Sequence, residues 1–362
     1  MGSGLLEDIK YNCDVSDAQF WGYFSICGLL MRYRELFRSE KGLKPWTEVD
    51  QKEIMSWIAA KESAWPELEQ AKFRDLPIGG RNYPPFDIAN INQALAEQRL
   101  IYGAGYGIFM KPVFFLAELR SVQAVSGLTV YTSGVERVRD LFSAPGMAQG
   151  ETIFLRLEPL TTLLLYKFSE LNTRRITSLE DAFARYGFGQ RQLIDDGFSR
   201  RLEKMAEAYA GVLLCHEIAE AREDVPAWKE ILASAEDRDV ELYLRAIKDL
   251  VADTSEYGPY KRIVETRDRG ALSLTVALME GYRRILFPEI REGYAEFSKQ
   301  EEWLVVEQAR TTGYRRFRER RDGIVELYRN CSGKDDFNGK VKDLLKCAPD
   351  RSGSGLRIQP SS

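Results

Sequence analysis

Histidine is nearly missing from this chain: His216 is the only one in 362 residues. A site built on two imidazoles, the HExxH zinc motif included, is therefore excluded. Cysteine is sparse as well. Cys13, Cys27, Cys215, Cys331 and Cys347 are odd in number, widely scattered and include no CxxC pair, a usage that fits a reducing cytoplasm. No long apolar run occurs; "PVFFLAEL" is about the strongest and falls well short of the roughly 20 residues that a membrane-spanning helix needs. Charge of one sign is not in excess either, since a net charge of −4 and a pI near 5.5 give no global attraction to nucleic acid or to an anionic membrane. The opening residues "MGSGLLEDIKYN" lack a basic region followed by an apolar core and do not read as a signal peptide. These absences predict a soluble, cytoplasmic protein without membrane contact.

Nucleophile signatures are missing too. No GxSxG string is present, any serine would have to share the lone imidazole, and Cys215 sits next to His216, about 100° away around a helix. A Cys/His pair is disfavoured by that angle.

What remains has the composition of an ordinary globular protein, 44% apolar and 29% charged, with length for about two domains. Helical spacing predicts a core helix from Asp17 to Arg38, started by Asp17 or Ser16, and a second from Glu48 to Phe73 with Thr47 as cap and Pro66 as kink or stop. The Gly and Pro pairs of "LPIGGRNYPPFD" mark a loop. Between Leu100 and Ser133 the texture turns β-branched, aromatic and glycine-punctuated, which predicts an antiparallel meander of about three strands. "ETIFLRLEPLTTLLLYKFSEL" reads either as a strand running into a helix or as one helix interrupted near Pro159. After Gly187 the pattern is helical throughout, with helices near 190–224, 226–236, 237–252, 258–268, 270–287, 289–331 and 335–347. The expected architecture is α+β and predominantly α: an α+β domain over 14–188 with a small antiparallel sheet near 100–133, packed with a helical bundle over 189–348, then a tail over 349–362 of disordered composition.

Within "LLCHEIAEARED", Met205, Tyr209, Val212, His216, Glu220 and Glu223 fall on one narrow helical stripe. An apolar stripe that turns into ionisable groups sets charge at the edge of a packed interior, where pairing, protonation or metal must offset desolvation. His216 and Glu220, one turn apart, are candidate ligands for one divalent metal, with Glu223 as a third ligand and Glu217 as the base that activates a bound water. A carboxylate-rich set with one imidazole suits Zn, Fe or Mn. The competing reading is an acidic surface helix end, with Leu214, Ile218 and Ala221 as the buried stripe instead.

Three further constellations compete. "YGAGYG" has Gly103, Gly105 and Gly107 in alternation but strand-like residues on both sides, so a hairpin with close backbone approach is favoured over a phosphate loop. Arg81, Tyr106, Lys111, Glu118 and Arg156 are candidates to line a ligand cleft facing the His216 helix, although single charged loop residues are usually only solvated. "ARTTGYRRFRERRDG" carries Arg310, Arg315, Arg316, Arg318, Arg320 and Arg321, but the arginines spread around the helix and Glu307, Glu319 and Asp322 can pair with them, which favours a solvated helix over a nucleic-acid surface.

The order of four segments, "VSDAQFWGYFSICGLLMRYRELFR", "LPIGGRNYPPFD", "APGMAQGETIFLR" and "CHEIAE", resembles a family of uncharacterised bacterial proteins over residues 14–225. The last segment is similar to His-Glu-Leu-Gly-Glu in that family, matching at His216, Glu217 and Glu220 and departing at Ile218 and Ala219. The resemblance implies no established activity. The leading functional expectation is a ligand or metal site at the His216 helix, of the metal-dependent hydrolase kind, acting on a small molecule. The alternative is a non-enzymatic helical scaffold or adaptor that binds a protein partner.

Overall fold

A computed structural model describes residues 3–171, 173, 175–189 and 196–346. The tail expected over 349–362 and the first residues of the helix expected from 190 lie outside the described residues. By internal contact the chain forms two compact units that divide between Glu217 and Ile218. The protein is α+β and predominantly α, with its five-stranded sheet in the amino-terminal half and, among the described residues, helices alone in the carboxy-terminal half. Among the described residues no helix is long and apolar enough to cross a membrane.

The first unit opens with three helices, α1 (Ser3–Phe20), α2 (Ile26–Glu40) and α3 (Gln51–Leu68). The helix expected over 17–38 is thus two helices broken at 21–25. Ser25 makes the break, since its side chain accepts a hydrogen bond from Gly28 N at 3.2 Å and starts α2. Asp50, rather than Thr47, caps α3 by accepting from Lys52 N and Glu53 N, both at 2.9 Å. Pro66 stands in the last turn of α3, which stops two residues later. A short hairpin, β1 (Leu76–Ile78) and β2 (Arg81–Tyr83), and α4 (Ile88–Leu95) lead into the main sheet.

That sheet is built from β3 (Leu100–Tyr106), β4 (Pro112–Val125), β5 (Leu128–Arg139), β6 (Gly146–Gln149) and β7 (Thr152–Arg156), in the order β3-β4-β5-β7-β6. It has more strands than the expected meander and is mixed, because the β6–β7 hairpin returns along β5 with β7 parallel to it. Both faces of β3 and β4 are covered: Tyr102, Ala104, Phe114 and Leu116 pack with Ile9 of α1 and Ile91 of α4, while Ile101, Val113, Phe115 and Phe154 form the opposite core. Burial on both faces explains why β4 opens as an unbroken apolar run rather than an alternating one. Gly103 faces Phe115 across the ladder, and any Cβ there would overlap the phenyl ring. At Gly103 glycine is a packing requirement of the sheet. Strand β7 runs directly into α5 (Leu157–Glu170), with Pro159 in the first turn where its missing N–H costs nothing. Then come α6 (Thr177–Arg185) and the long α7 (Asp196–Arg222).

The second unit contains α8 (Trp228–Ala233), α9 (Arg238–Thr254), α10 (Pro259–Thr266), α11 (Arg269–Ala277), α12 (Gly281–Leu286), α13 (Pro288–Gln300), α14 (Trp303–Arg329) and α15 (Lys334–Lys346). The helices expected over 270–287 and 289–331 are each split in two, the second at Glu301, which adopts a left-handed φ of 59°. Helix α9 is central, with α8, α10, α12, α14 and α15 all against it. Arg310 of α14, 1% exposed, donates to Thr254 O at 2.7 Å and to the Glu256 and Glu307 carboxylates, so a cation meets the carboxyl end of α9.

One buried ion cluster ties α1 to the sheet. Lys111 Nζ lies 3.0 Å from Asp17 Oδ1 and 3.4 Å from Asp140 Oδ2 and donates to Ser16 Oγ at 2.8 Å. Asp17 in turn accepts from Leu141 N, and Asp140 accepts from Phe114 N at 2.9 Å. Burial pushes the Asp17 carboxyl up to about 6, against the pull of Lys111. A carboxyl raised in this way holds its proton more tightly folded than unfolded, so its contribution to stability is largest at acid pH and falls as pH rises to about 6. Lys111→Met would leave two buried carboxylates without their cation, at a cost of about 3–5 kcal/mol. The loss is expected to be smaller at pH 5, where Asp17 can take a proton, than at pH 8. Equal losses in denaturant midpoint at the two pH values would show that charge is not the cause.

Candidate metal centre

The stripe along α7 is buried first and polar last. Met205 is fully buried and Tyr209 and Val212 are 7% exposed, after which His216 and Glu220 are half-buried. The competing stripe runs outward: Leu214 and Ile218 are half-buried and Ala221 is exposed. An imidazole and a carboxylate one turn apart therefore stand where the buried face reaches its edge.

Helix α9 supplies the third group. His216, Glu220 and Asp249 each offer one ligand atom, all within 4.8 Å of one another and all half-buried. Two cations attend the carboxylates: Lys248 Nζ is 2.6 Å from Glu220 Oε2, and Arg283 Nη1 of α12 is 3.7 Å from Asp249 Oδ2 and 3.8 Å from Asp253 Oδ2. Four tetrahedral ligands at about 2.1 Å from a metal stand about 3.4 Å apart. The three groups need to draw in by no more than a side-chain adjustment, and Lys248 would have to release Glu220.

A narrow recess adjoins this group within the second unit, bordered by Glu220, Glu223, Asp224, Lys248, Trp228 and Arg321. Trp228 is 2% exposed, and its indole Nε1–H finds no acceptor among the described residues.

Glu223 and Glu217 stand differently. Glu223 accepts from Tyr314 Oη at 2.7 Å and lies 3.4 Å from Arg321 Nη1, which also donates to the Glu223 carbonyl at 3.2 Å. Its carboxylate holds the end of α7 to α14. Glu217 is 7% exposed, and its carboxylate lies over Gly146 of β6, where a Cβ would overlap Oε1.

The residues expected to line a ligand cleft do not assemble into one. Arg81 is exposed on β2; Tyr106, 45% exposed, stacks on Phe86 with ring centroids 5.1 Å apart; Glu118 pairs with Arg137 at 2.5 Å. Lys111 is in the buried cluster with Asp17 and Asp140. Arg156 is buried with Glu136, at 2.6 Å and 2.9 Å, and its guanidinium lies over the Phe115 ring. In the arginine-rich helix, Arg310, Arg316 and Arg321 are paired with Glu256 and Glu307, Glu289, and Glu223 and Asp322 respectively. Among the described residues no cysteine is bonded to another.

Asp249 and Lys248 were not singled out by the sequence. The available signal was the pair Asp249 and Asp253, one turn apart at the polar edge of a strongly amphipathic helix, but nothing local links that edge to His216. Comparison with curated proteins and with solved structures finds no match to either. Residues 4–156 match the N-terminal domain, and residues 161–346 the C-terminal domain, of one family of unknown function. Together these cover most of the chain, and the protein belongs to the DUF6866 family.

Proposed function

We propose that His216, Glu220 and Asp249 hold a divalent cation, and that the protein uses it to hydrolyse a small oxygen-bearing substrate. The observation that carries this reading is the convergence of one imidazole and two carboxylates within 4.8 Å at the edge of a buried face. One nitrogen and two oxygen donors suit Zn, Fe or Mn. If these three residues held a divalent cation, it would supply Lewis-acid activation of water or of a substrate oxygen. The adjoining recess, about 10 Å³, has room for a single water at most, so a substrate would have to approach the group from solvent. In this reading Glu223 secures the helix end, and Glu217 is the residue whose role as base the variants below decide.

The adaptor reading also has an observation in its favour. Trp21, Tyr23, Ile26, Leu30 and Met31, all from 41% to 80% exposed, lie in the break over 21–25 and the first turns of α2, and a run of exposed large apolar residues of this kind suits a protein partner.

Metal analysis of the purified protein, with titration of Zn, Mn and Fe(II), tests the first reading. Changes around metal ligands usually weaken binding by about 10–100-fold, so removing a ligand by His216→Ala or Asp249→Asn is expected to cost at least about 100-fold. Wild-type affinity in both variants would overturn the ligand set. Lys248→Met should act the other way: freed of its cation, Glu220 should bind metal about two- to fivefold more tightly, the value of a partly exposed pair of roughly 0.5–1 kcal/mol. Weaker binding in this variant would mean that Lys248 helps to build the site. Glu217→Gln is expected to abolish ester or phosphate-ester hydrolysis with metal content intact if Glu217 is the base. A lower Tm with turnover unchanged would assign it to packing against Gly146.

A further inference from the structure

A second site lies elsewhere in the helical unit, in a groove between α9, α14 and α15. Its cavity volume is about 490 Å³, inside the roughly 300–1,000 Å³ typical of small-molecule sites. Tyr243, Ile324, Leu327 and Leu344 form apolar walls. Leu344 is 44% exposed, so the groove leaves an apolar surface open to solvent.

The floor contains a glycine that packing does not explain. Gly323 lies inside α14, where glycine costs about 1 kcal/mol relative to alanine. Ten residues earlier in the same helix, Gly313 is required, because a Cβ there would stand 2.7 Å from the Phe287 ring. At Gly323 a Cβ would meet nothing within 4 Å. Its effect is to keep the groove open.

The charges at the rim are unevenly answered. Lys340 is held by Asp336 at 2.9 Å and Asp343 by Lys346 at 2.8 Å. Arg320 has no carboxylate within 4.0 Å among the described residues, and its neighbour is the Tyr243 hydroxyl, whose pKa burial raises while the guanidinium pulls the other way. A guanidinium without a carboxylate partner, hydrogen-bonded to a phenol, offers its remaining N–H groups to the two oxygens of a carboxylate. Asp336 and Asp343 nearby disfavour a more highly charged phosphate.

We infer that this groove binds an amphiphile with an aliphatic chain and a single carboxylate, the chain along Ile324, Leu327 and Leu344 and the head group on Arg320. The site is independent of the metal reading and shares no residue with it.

Decanoate, kept below its micellar concentration, is the probe, titrated calorimetrically into the full chain. Saturable binding is expected, with decanol at least tenfold weaker and decyltrimethylammonium silent. Arg320→Gln should weaken decanoate about tenfold. Gly323→Leu should abolish binding while keeping or raising Tm, since leucine is the better helix former and the added side chain enters open space. Decanoate that fails to bind, or binds Gly323→Leu as well as wild type, overturns the proposal. So does binding that appears only when residues 347–362 are removed, which would show that the groove accommodates the chain's own tail.

Discussion

A charge that leaves water must be met by another charge, and this constraint organises both halves of the molecule. Lys111, 2% exposed, is met by Asp17 and Asp140, which in turn accept backbone N–H groups of Leu141 and Phe114. The cluster joins the end of α1, the start of β4 and the end of β5, three places far apart in sequence, so the position of the first helix against the sheet depends on its integrity. Arg156 and Glu136 repeat the arrangement between β7 and β5. Arg310 does the same in the helical unit, where Thr254 O and two glutamates fix α14 across the end of α9. Pairs of this kind add little net stability over apolar packing, but they penalise any arrangement that separates the partners.

Against that background the His216 group is set apart by how its charges are satisfied. Asp17 and Glu136 spend their oxygens on fully buried partners and backbone donors. Glu220 and Asp249 count among their partners Lys248 and Arg283, side chains 31% and 33% exposed, the second at 3.7 Å. A long, partly solvated cation can withdraw into water at small cost, whereas a buried one cannot. The cations seen beside these carboxylates are thus of a kind that can withdraw into solvent, unlike Lys111 or Arg156.

Much of the architecture was legible in the sequence because it is written in local periodicity. The glycine-punctuated β texture after Leu100, the helical second half and the buried stripe of α7 are all short-range patterns. The breaks were harder to read. "DAQFWGYFSICGLLMR" carries apolar residues at helical spacing straight through 21–25, and Ser25 acts as a cap only because the chain turns there. Glu301 likewise takes a left-handed conformation that favours glycine or asparagine, so no sequence signal marks the gap between α13 and α14. Lys111, Arg156 and Glu118 looked alike as polar residues in a β region, yet two are among the most buried ions in the chain and the third is on the surface. Residue type gives charge, and only tertiary contact gives its partner.

The candidate site shows the same limit at closer range. His216 and Glu220 were visible together because one helical turn separates them, a relation that any sequence displays. Asp249 completes the group from a helix about thirty residues on, where its spacing to Asp253 marks a polar edge but not what that edge faces. Glu223 continues the same stripe, but Tyr314 and Arg321 occupy its carboxylate. A carboxylate at the right helical angle is thus contested by the donors that the neighbouring helices bring to it. That competition is decided by α14, whose hydroxyl and guanidinium reach Glu223, and by α9, which offers Glu220 a lysine that can let go.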